Sequence, residues 1–117
     1  MMDVPQGATV ARVWRGRTTA LDAPAYTEYW LENGIKVLAE NALGVHAYRG
    51  NGEEEVEFTA ISFWKDVATM SSFAGPDPRQ IRHLKRDVEF LIELPDSVEI
   101  LDIVGEYGAG PHAAVSS

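Results

Sequence analysis

His83 and Asp87 stand four residues apart, a spacing that on a helix sets one side chain a turn above the other. A carboxylate on one imidazole nitrogen fixes the ring tautomer and raises the basicity of the other nitrogen, which makes a general base. On a helical wheel the pair lies between an apolar stripe of Ile81, Leu84 and Val88 and a charged stripe of Arg82, Arg86 and Glu89. Cavity rims occupy such borders, and so do ordinary surface pairs. Arg12 sits among Val10, Ala11, Val13 and Trp14, and a guanidinium buried in apolar company needs a partner. Asp102 is the structural candidate, through a cross-strand ion pair; a substrate oxyanion is the functional one. Trp14, Tyr26, Trp30, Trp64 and Phe73 are a large aromatic share for one small core. They either pack that core or line a cavity suited to a planar ring.

Other chemistries lack their residues. His46 and His112 have no metal-ligand spacing with His83, so no metal site is expected. The run RGNGEE belongs to a hairpin turn rather than a phosphate-binding loop. A nucleotide or flavin has no visible place, and no cofactor is expected. The chain has no cysteine, which excludes thiolate chemistry and a disulfide framework.

These side chains must be positioned by a chain of 117 residues, 45% hydrophobic and 24% charged, a size that fills one core. A single domain over residues 1–107 is expected, followed by a flexible tail of small residues over 108–117 (GAGPHAAVSS). No apolar run approaches membrane-spanning length, and MMDVPQG is not a signal peptide. A soluble, cytoplasmic protein is the expectation. The net charge of −8 repels phosphate backbones and anionic membranes, so neither nucleic acid nor membrane is an expected partner. The basic run Arg79, Arg82, Lys85 and Arg86 reads as the solvated outer side of one helix.

Ala8 to Arg17, rich in β-branched and aromatic residues, predicts a first strand. Asp22 as N-cap with Pro24 close behind predicts a helix, on which Ala23, Tyr26, Trp30, Gly34, Val37 and Leu38 share a buried side. Gly34 in that stripe costs helix stability, roughly 1 kcal/mol against alanine, and marks a close approach. Leu43 to Gly50 and Glu55 to Lys65 predict a hairpin turned at Asn51-Gly52. Asp66 caps a short helix ending near Gly75. Beyond Pro76 and Pro78 a further amphipathic helix carries Ile81, Leu84, Val88, Leu91 and Ile92 inward, and Val98 to Tyr107 predicts the last strand. The order β-α-β-β-α-β is that of an α+β ferredoxin-like fold with an antiparallel sheet.

Strand parity adds a partner. Val56, Phe58 and Ala60 on one face are answered by Ile61 and Phe63 on the other, and Val98, Ile100 and Val104 by Leu101 and Ile103. Two helical regions cover one face only, so a second copy of the chain is the simplest cover for the other, giving a homodimer. The tail folding back is the rival cover.

RVWRGRT on the first strand, AYTEYW on the first helix, SFW closing the third strand, SFAGPDP after the second helix and RDVEFL beyond it together resemble the antibiotic biosynthesis monooxygenase-like group of the dimeric α+β barrel superfamily. The resemblance runs from about Val10 to Val104. It implies a dimeric α+β barrel with an aromatic-lined cavity between helices and sheet, matched by Trp64 and Tyr26. The group includes quinone-forming oxygenases that need no cofactor, heme-degrading oxygenases and members of no known activity. The heme-degrading members share an Asn on the first strand, a Trp ending the third and a His on the second helical region. Trp64 and His83 match the last two, while the first strand offers Arg12 and Trp14 and no Asn. The expected function is a pocket for a small aromatic or polyketide-like molecule, with cofactor-free oxygenation of a phenol as its chemistry. In that mechanism His83, oriented by Asp87, removes the proton, Arg12 stabilises the anion, and Trp64 and Tyr26 hold the ring. A noncatalytic ligand-binding or structural dimer is the alternative, and a heme-binding protein with His83 as axial ligand a third reading.

Overall fold

The computed structural model describes residues 4–108. The tail expected to be flexible falls outside them except for Gly108, as does His112. Strand β1 (Val10–Thr19) leads to helix α1 (Ala23–Trp30), which widens into a π-helical segment at Leu31–Ile35 and closes as α2 (Lys36–Asn41). A hairpin of β2 (Gly44–Arg49) and β3 (Glu55–Trp64) follows, then α3 (Val67–Ala74), a long irregular segment, the short helix α4 (Asp87–Phe90) and β4 (Glu99–Asp102).

The strands form one antiparallel sheet in the order β2-β3-β1-β4. This α+β arrangement is compatible with a ferredoxin-like fold. Alternation along β1 and β3 sends Val10, Trp14, Gly16 and Thr18, with their partners Trp64, Ala60, Phe58 and Val56, to the face that the helices cover. Two apolar clusters form there. Tyr26, Trp30, Phe58 and Leu91 make the larger, with Tyr26 and Trp30 meeting Phe58 edge-on at 5.0 and 5.1 Å. Val10, Trp64 and Met70 make the smaller. The opposite face carries Ala11, Val13, Ile61, Phe63 and Leu101 toward one end and Arg15, Arg17, Glu55 and Glu57 toward the other.

Local chemistry explains several boundaries. Asp66 caps α3 by accepting from the Thr69 N–H at 2.7 Å. Asp22 makes no such bond at α1, where Pro24 pre-sets the first turn instead. The hairpin connection is longer than an Asn-Gly two-residue turn, with Gly50 to Glu54 all outside the strands.

The largest departure from the sequence reading lies between Pro78 and Phe90. Of the amphipathic helix expected there only the single turn of α4 forms, because other parts of the chain satisfy the backbone groups that a longer helix would pair internally. The carbonyls of Pro78 and Gln80 accept from Arg12, and the Arg79 carbonyl accepts from the Val98 N–H. Farther along, the Leu84 N–H donates to Asp87 and the Arg86 N–H to the Tyr29 hydroxyl. Val88, expected inward, is 70% exposed, and Ile92 is exposed as well, whereas Leu91 is buried. The basic run is consequently not one solvated helix face. β4 is also shorter than expected, and Val104 lies beyond it in solvent.

Candidate functional site

A cavity of about 430 Å³ opens between the covered face of the sheet, the α1-to-α2 helical run and the irregular segment. Its walls hold most of the residues that sequence pattern singled out: Arg12, Trp14, Tyr26, Trp30, Phe73, His83 and Asp87. Trp64 is not brought there. Its ring packs in the smaller apolar cluster, 1% exposed, with its indole N–H donating to the Ser62 hydroxyl at 2.9 Å.

Two glycines shape the walls. A Cβ at Gly16 would fall 2.6 Å from the Trp14 ring, so the glycine allows the indole to lie along its own strand toward Trp30, 5.9 Å away between centroids. A Cβ at Gly34 would stand 3.2 Å from the Leu84 Cδ1. The close approach expected at Gly34 is therefore made by the irregular segment rather than by the sheet. Gly34 belongs to the π-helical turn, whose Asn33 and Ile35 also reach the cavity. Such wide turns often occur at functional sites, because the extra residue re-aims side chains.

Asp87 is the centre of the polar wall. It is 2% exposed. One carboxylate oxygen accepts from the Tyr26 hydroxyl at 2.9 Å and the other from the Leu84 N–H at 3.0 Å. The Asp87 N–H returns a bond to the Leu84 carbonyl, closing the turn on which the carboxylate sits. Tyr29, one turn after Tyr26, accepts from the Arg86 N–H at 2.9 Å, and the Arg86 guanidinium lies over its ring. Helix α1 thus holds the irregular wall of the cavity by two phenols on one face.

Burial pushes the Asp87 carboxyl above the usual range, and its bonds from Leu84 and Tyr26 and the nearby His83 offset this only in part. Burial, with Asp87 beside it, pushes the Tyr26 phenol well above its ordinary value, so Tyr26 stays a donor. A carboxylate has about four acceptor positions. With two of them occupied, Asp87 retains capacity for a ligand hydroxyl.

The expected His83–Asp87 pair does not form. His83 lies on the irregular segment, exposed at the cavity rim, and Asp87 is bonded to Tyr26 and Leu84 instead. The Arg12–Asp102 ion pair does not form either. Strands β1 and β4 are neighbours as expected, but Arg12 faces Ile100 in register and Asp102 faces Val10. The Arg12 Nε donates to the Pro78 carbonyl at 2.9 Å and Nη2 to the Gln80 carbonyl at 3.0 Å. Its pKa is lowered by burial.

The Tyr26–Asp87 bond escaped the sequence reading because it joins residues 61 positions apart. Tyr29 had a local signal, its place one turn along from Tyr26. Among the described residues no group of three or more His, Asp or Glu side chains is placed to hold a metal ion, and no helix is long and apolar enough to cross a membrane. No family model matches this chain, and no curated protein matches it.

Proposed function

We propose that this chain binds a small planar aromatic molecule and removes the proton of its phenolic hydroxyl, the opening step of an oxygenation that needs no cofactor. The observation that carries the reading is the meeting of an aromatic cavity with one buried carboxyl of raised basicity. A ring enters between Trp14, Trp30 and Phe73, and its hydroxyl reaches Asp87. Burial makes Asp87 a stronger base than an exposed carboxylate, and the Tyr26 hydroxyl holds it in place. The general base expected at His83 thus passes to Asp87, with His83 at the mouth. Arg12, expected to stabilise the anion, lies four residues along β1 from the level of Tyr26 and Asp87 and takes no part in this proton transfer.

The phenolate transfers an electron to dioxygen, and the two radicals combine at the ring carbon para to the oxygen. Asp87 returns its proton to the resulting peroxide. The O–O bond then breaks as the ring carbon loses its hydrogen as a proton, giving a quinone and one water. Each turnover consumes one dioxygen and one phenol. The test is oxygen uptake with electron-rich hydroxynaphthalenes. Uptake above the uncatalysed rate, dependent on Asp87, supports the reading.

The same reading includes a homodimer of the dimeric α+β barrel type, built on the resemblance of the chain to that superfamily and on the exposed Leu101 and Tyr48 of the second sheet face. Helices pack on one face only; on the other, Leu101 and Tyr48 are 48% and 51% exposed and Ile61 is partly exposed, while Ala11, Val13 and Phe63 are already buried within the single chain. A second copy covers that apolar end. Light scattering at micromolar concentration should give about twice the chain mass of 12.9 kDa, and Ile61→Lys should reduce it toward one chain. A single-chain mass for the unaltered protein would contradict the dimer.

A further inference from the structure

The cavity's charge does not match the chain's. The net charge is −8, yet Arg12, Arg82 and Lys85 line the cavity, with Asp87 as its one acidic residue and His83 beside them. Among the described residues outside the cavity, Glu99 meets Arg15, Glu55 and Glu93 meet Arg17, Glu32 meets Lys36 and Glu89 meets Arg86, while Arg49, Lys65 and Arg79 meet no carboxylate. Among the described residues no carboxylate pairs with any of the three cavity cations. Arg12 is the most informative of them. Two carbonyls hold its guanidinium through Nε and Nη2, which leaves the Nη1 donors for another acceptor. A partly buried guanidinium without a carboxylate bears a desolvation cost that only an anion offsets fully.

Position separates this charge from the proton-accepting end. Tyr26, which holds Asp87, packs on Phe58, the register partner of Gly16. Arg12 lies four residues back along the same face of β1, roughly 13 Å at about 3.3 Å per residue. Its carbonyl anchors belong to the Pro78–Gln80 end of the irregular segment, and Asp87 to the other end. The cavity therefore has an anion end and a hydroxyl end, with Trp14 between them on the strand.

We infer that the molecule bound here carries a permanent anionic group, a carboxylate, at the end opposite its phenolic hydroxyl, held by the Arg12 guanidinium and drawn in by Arg82 and Lys85. This deepens the proposed function and rests on the cavity being a ligand site. It defines the substrate class as hydroxylated aromatic acids with a ring system long enough to span both ends. Arg82 and Lys85 are exposed at the rim, so they act at longer range and their effect is screened by salt.

The test compares two bicyclic probes of the same shape, a hydroxynaphthoate and the corresponding hydroxynaphthamide, each with its two groups at opposite ends of the ring. Calorimetric titration should show the acid binding about tenfold or more tightly than the amide, the scale of one charge-assisted hydrogen bond. Arg12→Gln should remove that preference while leaving amide affinity nearly unchanged. Should that variant fail to fold, Arg82→Gln with Lys85→Gln, at exposed positions, should lower affinity for the acid alone and flatten its salt dependence. Equal binding of the two probes by the unaltered protein would overturn the inference and leave the proposed function standing. Binding of neither probe would overturn both.

Discussion

Replacing Trp64 by alanine is expected to lower folding stability by about 3–5 kcal/mol, the usual range for deleting a fully buried aromatic ring. The indole is 1% exposed, packs with Val10 and Met70, and lies 5.5 Å from the Phe73 ring between centroids. Its removal leaves a void where β1, β3 and α3 meet, and it strips the Ser62 hydroxyl of its donor. A domain of this size has only about 5–15 kcal/mol in total, so the loss is a large share. Urea unfolding should show a much lower midpoint with an unchanged slope. A loss under about 1 kcal/mol accompanied by altered ligand affinity would instead make Trp64 a wall of the binding site.

Asp87→Asn is expected to lower phenol-dependent oxygen uptake by about a hundredfold or more, the scale of a lost general base. Binding of the aromatic probe should survive, because the ring contacts are made by Trp14, Trp30 and Phe73. His83→Gln should change uptake by about threefold at most, since the imidazole is exposed at the rim and makes no bond to Asp87. The reverse ranking would restore His83 as the base. Unchanged uptake in both variants would make Asp87 a purely structural anchor for Tyr26 and Leu84.

The same substitution has a signature in folding. A carboxyl whose native pKa is raised by burial binds its proton more tightly folded than unfolded. Its contribution to stability is therefore greatest below the unfolded value, near 3.8, and falls as pH rises through the raised native value. Above that the cost of the buried charge is fully present. Asp87→Asn should remove this decline from the stability profile, even though the amide keeps only one acceptor for the two donors that Asp87 now serves. A profile that still falls by the same amount would place the responsible carboxyl elsewhere.

The sheet was legible because its signals are local. The β-branched and aromatic content of ATVARVWRGR, the turn chemistry of RGNGEE and the spacing of Tyr26 and Trp30 all act within a few residues, and the structure differs mainly at strand ends. Between Pro78 and Phe90 the local pattern misled. Ile81, Leu84, Val88 and Leu91 have helical spacing, but the segment's backbone is held by Arg12, Val98 and Tyr29. No pattern within the segment encodes those partners. The candidate site divides in the same way. Its aromatic walls and its polar residues were visible as residue types, whereas the pairing was not. Asp87 bonds to Tyr26 across the fold rather than to His83 one helical turn away, and Arg12 bonds to two carbonyls rather than to Asp102.

The most direct test of the ligand cavity uses the chain's own fluorescence. Of its 3 tryptophans, Trp14 and Trp30 line the cavity and Trp64 does not. In a Trp64→Phe variant all tryptophan emission arises from the two cavity rings. Titration with a hydroxynaphthoate should quench that emission saturably, with one molecule per chain and half-saturation below about 1 mM. Emission that stays constant, or declines linearly without saturating over that range, would contradict the assignment of this cavity as a site for aromatic molecules.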